Sequence, residues 1–453
     1  MDFEPMPITS SLKKVLDLGF GSGPRGRERE ERVKFFLRWD LMSGIAGAAL
    51  NLFGAPVNRD GWDDRVLIIG AGGIGDVIMA TPALRQYRAK FASKKIFLLV
   101  TKHGGMTKAM FGDLVDDLVV FDGVRFQSSP GYQVATVNRL RRIGFRTVVN
   151  DAAGLKDLTS KLIAVSLKAE TVVGYEGPGI ELLDLTAAPF VRFSRSRIFG
   201  RYTRLVESID KDFMKQGTHP KTAIQHHLAL ADALHGHGGP RDPSTAFGID
   251  PAADAAVLEK IGQWGTKPGR YVAFAVACVD PARQWNIGKF AEVAKAVHAR
   301  GFDVLVIGSP AQQPYSREFG KHLPFPLIDT AGAVTLMESA AVIRHAHMLI
   351  TNDTGPVHIA VALGVPTICI ATAGHIAFNS LYGRKAVNRW IYKDIGCLYD
   401  DARCALTVPQ GSPAPCLEAV TAAEVVADYH RLDDYLHTHP ERTEPFLAAY
   451  MDA

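Results

Sequence analysis

The feature that most constrains this chain is an alternation of short apolar runs with helix-length stretches, met twice. Arg65–Ile69 (RVLII), Lys95–Thr101 (KIFLLVT), Asp117–Phe121 (DLVVF), Arg146–Asn150 (RTVVN) and Glu170–Gly174 (ETVVG) share one form, β-branched and apolar without a polar face. Strands of that kind belong to a parallel sheet covered by helices on both sides. The pattern lapses over 195–250, which reads as helix and loop, with a Gly- and Pro-rich linker at Gly236–Pro243. It restarts at Tyr271–Ala277 (YVAFAVA). It then runs through a helix at 288–299, strand Asp303–Gly308, a helix near 312–322, and strands His347–Thr351 and Thr367–Ala371. Thr335 and Glu338 form a capping-box pair that opens another helix. The fold class expected is therefore α/β, two doubly wound, Rossmann-like domains. Such pairs place their site in the crevice at the carboxyl ends of the strands.

The expected division is 1–60, 61–245, 246–430 and 431–453, with terminal helices near 421–450 crossing back to the first domain. Residues 1–60 differ in texture: Pro24 to Asp40 mixes both charges with Phe35, Phe36 and Trp39. A helix there suits packing on its own domain, self-association or a membrane surface. Leu41 to Pro56 is too short and too interrupted to span a bilayer, and the extreme N-terminus lacks a basic n-region. A cytoplasmic protein is expected. A net charge of +4 over 453 residues gives no argument for nucleic acid. Five cysteines fit a reducing compartment. Cys397, Cys404 and Cys416 fit no common zinc spacing and are expected to be unpaired thiols. No metal and no cofactor is expected.

Three stretches carry chemistry. The first is Gly70-Ala-Gly-Gly73-Ile-Gly75-Asp76, directly after the first strand. Its glycines let the chain turn and let a ligand approach. A ribose-gripping acid after the second strand is missing, and Asp76 would repel a pyrophosphate, so a dinucleotide site is disfavoured. Asp76 is either a helix cap or a general base at the cleft. Val77, Ala80, Leu84, Tyr87 and Phe91 form a core stripe on the helix expected over 76–91. Thr81-Pro82 interrupts it, either as a new cap or as a kink. Arg85 and Arg88 read as solvated.

The second stretch is Asn352-Asp353-Thr354-Gly355-Pro356-Val357-His358, between a strand and a short helix that stops before Gly364. A helix start at the carboxyl end of a strand binds phosphate through free amides. His358 is either an added donor or a satisfied buried histidine. The third is Asp280-Pro-Ala-Arg283-Gln-Trp285, where Arg283 would clamp a diphosphate on the same rim as Thr354.

Taken together, Gly-Ile-Gly-Asp76-Val with Thr81-Pro82-Ala83-Leu84-Arg85, then Arg283-Gln-Trp285, then Asn352–Ala360 with Gly364-Val-Pro366, resemble the signatures of glycosyltransferase family 9, the heptosyltransferases. The resemblance brackets about 65–430. It implies a GT-B fold, an N-terminal acceptor domain and a C-terminal nucleotide-sugar domain facing across a cleft. It further implies inverting, metal-independent transfer from a nucleotide-diphosphate sugar, often ADP-heptose, to a saccharide hydroxyl such as lipopolysaccharide core. Lipid-linked acceptors at the inner membrane face are included. Asp76 would be the base; Gly73, Gly75, Arg283, Asp353, Thr354, Gly355 and His358 would bind substrate. Gly70 stands where the family usually has Arg, and Gln312-Gln313 where a Glu often stands. Residues 1–60 have no counterpart. The alternatives weighed are a nucleotide-sugar epimerase on the same fold, and a non-catalytic glycan- or nucleotide-sugar-binding protein.

Overall fold

The computed structural model describes residues 49–50, 54–70, 72–101, 105–152, 158–176, 203–207, 222–235, 242–374, 376, 382–396, 412–441 and 446–447. Residues 1–48, most of the expected linker, and Cys397 and Cys404 lie outside them.

Twelve strands are described, in two six-stranded sheets whose pairings are all parallel. The first holds β1 (Arg65–Ile69), β2 (Lys95–Thr101), β3 (Asp117–Phe121), β4 (Thr147–Asn150), β5 (Thr171–Glu176) and β6 (Arg204–Glu207), in the order β3-β2-β1-β4-β5-β6. The second holds β7 (Tyr271–Ala275), β8 (Asp303–Val306), β9 (Ile328–Asp329), β10 (Met348–Asn352), β11 (Thr367–Ile370) and β12 (Asn388–Ile391), in the order β12-β11-β10-β7-β8-β9. Both are therefore the same doubly wound sheet, three strands on each side of a switch point. In the first that point lies between β1 and β4, in the second between β7 and β10. Loops leaving those four strands diverge and open a crevice.

β6, β9 and β12 went unseen in the sequence. Each is an edge strand or nearly so, two or four residues long, and such strands carry little apolar signature. The expected helix over 76–91 is two helices, Ile74–Met79 and Thr81–Lys90, with Ala80 between them. Thr81 is not the cap. Its hydroxyl donates to the Ile78 carbonyl at 2.7 Å and accepts the Ala246 amide at 2.8 Å, tying the break to the chain that leads into the second sheet. Arg85 is not solvated either; it is half-buried and binds the Asp242 and Ser244 carbonyls. The capping box at Thr335 and Glu338 forms, with bonds of 3.2 and 2.8 Å.

The last long helix, Ala422–Thr438, runs through the expected 430/431 boundary. It does not cross back to the first sheet. Val425, Tyr429, Leu432 and Leu436 pack with Phe290, Val293 and Val297 in the core of the second. At the other end, Leu50 is buried in the first unit's core. Asn58 and Ala55 bond the helix Pro130–Ile143.

One apolar core is continuous through both units: Val66, Leu84 and Tyr87 share a cluster with Phe247, Tyr271 and Ile359. A second crosses the interface where Met79 meets Val357 and Val361. Burying such a side chain contributes about 1.5–3 kcal/mol. The helices Ile74–Met79 and Gly355–Ala362 pack against each other across the interface. A Cβ on Gly75 would stand 2.5 Å from the His358 ring, and one on Gly355 would stand 2.6 Å from Ile74. Neither glycine has a positive φ, so packing across the interface is the reason for their size. Gly75→Ala is therefore expected to lower unfolding free energy by about 1–3 kcal/mol. Gly73→Ala, where a Cβ meets nothing nearer than 3.6 Å, should cost under about 1 kcal/mol. Urea melts of the two variants check this.

Candidate active site at the facing switch points

Asp76 sits at the third position of Ile74–Met79, the helix that follows β1. It is exposed. Its Oδ2 accepts the Gly73 amide at 2.7 Å, closing the first turn. The carboxylate lies against the loop so closely that a Cβ on Gly72 would clash at 2.5 Å. Thr101, at the end of β2, donates to the Gly72 carbonyl at 2.9 Å and fixes the loop from behind. The two readings of Asp76 are thus compatible: one oxygen caps, while the residue stays exposed. The Gly73 amide is taken by Asp76, and Gly75 has no room for a side chain beside His358.

Across the interface, Thr354 is the N-cap of Gly355–Ala362, with extended backbone and no side-chain cap bond. Pro356 lies in the first turn and Gly364, at φ 71°, follows the stop, as the sequence implies. Asp353 is buried, its amide bonded to the Ile370 carbonyl at 3.2 Å.

Arg283 leaves the short helix after β7, which Asp280 caps. Its Nη1 donates to the Asp353 carbonyl at 3.2 Å. Its Nε lies 3.6 Å from Asp280 Oδ2 and is buried with no hydrogen-bond partner among the described residues. The expected shared rim is therefore real: the loops after β7 and β10 touch. Asn352 laces them further, accepting the Trp285 amide at 2.9 Å and donating to the Val276 carbonyl at 3.0 Å. Gln284 accepts the Cys278 amide and donates to the Val276 and Trp285 carbonyls. Arg283 is consequently held on a loop fixed at several points. Gln312 is also committed, to the Ser309 amide and the Ala277 carbonyl.

His358 is the buried histidine of the two readings. Its Nδ1 lies 2.6 Å from the Tyr382 hydroxyl, its ring stacks on that phenol, and its Nε2 is 3.9 Å from Asp353. Burial pushes its imidazole below the usual value, against the pull of Asp353 and Asp76. A neutral ring seated between Gly75 and Tyr382 holds the interface rather than offering a cation. Asp76 and Arg283 both act on its charge, the acid favouring the protonated ring and the guanidinium opposing it.

The sequence missed Asp151 and His227. Asp151 follows β4, on the other side of the first switch point from Asp76, and its amide bonds the Ile69 carbonyl at 3.0 Å. Its Oδ1 is 2.9 Å from His227 Nδ1. Position after β4 was the available signal for Asp151; nothing local marks His227. Of the cysteines, Cys416 is a free thiol buried in the second core.

A family model, glycosyltransferase family 9 (heptosyltransferase), matches residues 204–400. Lipopolysaccharide heptosyltransferase 3 of Escherichia coli is 31% identical over 109 residues, 23% of this chain and 32% of that relative. The alignment thus spans about a third of the curated relative. Among solved structures, a family 9 glycosyl transferase from Veillonella parvula superposes with TM-score 0.61 at 17% identity, covering 82% of this chain and 97% of its own. The E. coli heptosyltransferase WaaC with ADP superposes with TM-score 0.56 at 17% identity, over 81% of this chain and 99% of its own. These structures share the fold, two facing doubly wound domains of GT-B type. The family match over residues 204–400 and the curated relative make the chain similar to glycosyltransferase family 9, heptosyltransferase-like, and the solved structures add the shared fold.

Proposed function

We propose that this protein moves a sugar, heptose, from an ADP-heptose-type donor to a saccharide hydroxyl such as one on lipopolysaccharide core. The observation that carries the reading is the juxtaposition of an exposed carboxylate after β1 with a guanidinium-backed helix start after β10, in a chain similar to family 9. In the proposed single displacement the acceptor oxygen attacks the anomeric carbon on the face opposite the leaving group. Its proton passes to Asp76, and the bond from that carbon to the diphosphate oxygen breaks. Configuration inverts. Charge growing on the departing diphosphate is met by Arg283 and by the positive end of Gly355–Ala362, with Thr354 at its cap. Asp353 supports the site through the carbonyl that binds Arg283, and Gly355 and His358 keep the two walls in contact. The donor therefore rests on the second unit and the acceptor on the first.

A cytoplasmic location, with lipid-linked acceptors presented at the inner membrane face, belongs to the same reading. No helix among the described residues is long and apolar enough to cross a membrane.

Asp76→Asn is expected to lower kcat by about 100-fold or more while ADP binding, followed by calorimetry, stays within a few-fold of wild type. Lost ADP binding would make Asp76 a binding residue instead. Arg283→Ala should weaken ADP by about 10–100-fold, the value of a charged hydrogen bond to phosphate. In thermal-shift assays ADP should raise the melting temperature more than GDP or UDP at equal concentration. A larger shift with GDP or UDP would reassign the donor.

A further inference from the structure

We propose that Tyr382, strapped down by Phe446 and Leu447, is a positioning residue for the cleft: its hydroxyl donates to His358 Nδ1, keeps the ring's proton on Nε2, and fixes the edge that the ring turns to Gly75 and Asp353. The proposal rests on the transferase reading above and adds a residue to it.

The His358 ring is a wedge between the two walls. A Cβ on Gly75 would stand 2.5 Å from its Cδ2 and 2.8 Å from its Nε2, so this edge lies against the backbone next to Asp76. Nε2 also lies 3.9 Å from Asp353 Oδ1, on the turn whose carbonyl accepts Arg283. Nδ1 lies 2.6 Å from the Tyr382 hydroxyl. A half-turn of the ring would exchange Nδ1 with Cδ2 and Nε2 with Cε1. It would offer the hydroxyl a carbon and take Nε2 away from Asp353. The Tyr382 contact thus selects one of two orientations that ring shape leaves nearly equal.

The proton follows from the same geometry. Burial disfavours the charged imidazole, so the ring is neutral, with one nitrogen donating and the other accepting. Nε2 faces a carboxylate, which attracts an N–H and repels a lone pair. Nδ1 is therefore the acceptor, and the phenol is the donor.

Tyr382 is itself held firmly. It is fully buried in the apolar cluster that crosses the interface with Met79, Val357 and Val361. Its ring lies parallel to that of His358 within 9°, and Trp390 and Phe446 flank it at 5.8 and 6.1 Å. Its carbonyl accepts Trp390 Nε1 at 3.2 Å. The next residue, Gly383, exchanges two backbone bonds with Leu447, at 3.0 and 2.9 Å, in an antiparallel bridge. Gly383 has φ 107°, and a Cβ there would meet Asn388 Oδ1 at 2.6 Å, so the bridge needs glycine. A site that needed only volume would be served by Phe. A hydroxyl buried among apolar groups is costly unless bonded, and this one is aimed at the histidine.

The test is the tautomer of His358, read from long-range 1H–15N ring spectra of the full chain at neutral pH, with the signal assigned by its loss in His358→Gln. In wild type the proton is expected on Nε2. In Tyr382→Phe, which keeps the ring and loses the hydroxyl, it should spread to Nδ1. In that variant kcat should fall about 3–10-fold, the worth of one hydrogen bond. ADP affinity should stay within about threefold, because separate bonds lace the Arg283 loop. The melting temperature should drop by less than about 5 °C. A purely structural phenol would lower the melting temperature without moving the proton. A wild-type proton on Nδ1, an unmoved proton in Tyr382→Phe, or wild-type kcat in that variant overturns the proposal. The first of these is read whether or not the variant folds. A wild type inert toward ADP-, GDP- and UDP-sugars would sink the transferase reading, and the ring spectra would still decide what Tyr382 does to His358.

Discussion

The structure depends on the contact between two helix starts, Ile74–Met79 and Gly355–Ala362. Each begins at the carboxyl end of a strand next to a switch point, and each carries a glycine where the other presses on it. Gly75 admits the His358 ring and Gly355 admits Ile74. Met79 extends the contact into an apolar cluster with Val357 and Val361. Since packed interiors tolerate no overlap, these two small residues set how near the walls stand. Reach follows from that spacing: a carboxylate side chain extends only a few ångströms, so under the proposed reaction the Asp76 helix must come close to serve a sugar held on the Thr354 helix.

The two sheets are alike in strand order, and their chemistry repeats the likeness. The first sheet places Asp76 after β1 and Asp151 after β4. The second places Arg283 after β7 and Asn352 to Thr354 after β10. Diverging loops at a switch point leave backbone and side chains unpaired by neighbouring strands, which is why polar function collects there. The first sheet supplies acids and the second supplies a guanidinium and a helix dipole. In the proposed reaction that asymmetry would steer a nucleoside diphosphate, doubly anionic or more, to the second wall.

The α/β architecture was legible because the buried parallel strands have no polar face, and that texture survives without any tertiary information. β1, β2 and β3 coincide with their apolar runs. The weak edge strands β6, β9 and β12 were not, since pairing on one side requires little of their side chains. At the site, Asp76, Arg283 and Thr354 could be found because each stands directly after a strand. The rest required the fold. Gly75 suggests ligand approach in sequence, yet only the opposing His358 explains its missing side chain. His227 lies on a helix within a stretch that resembles ordinary amphipathic chain. Its partner Asp151 is 76 positions away, and no local pattern encodes that separation.

Charge balance gives the arrangement its direction. Asp76, Asp151 and Asp353 bring three carboxyl groups to the neighbourhood of one cleft, while Arg283 is the permanent cation beside them. A diphosphate would be poorly received if all three acids faced it. The fold avoids this by burying two of them. Asp353 is 2% exposed and turns its carbonyl to Arg283, and Asp151 is 1% exposed behind His227. Asp76 alone among the three stays open, on the wall opposite the guanidinium. In the proposed displacement, negative charge developing on the leaving diphosphate would meet Arg283, and the proton released by the incoming hydroxyl would meet Asp76. The helix–helix interface keeps Asp76 apart from the guanidinium, whose neighbouring acid is Asp280 at 3.6 Å.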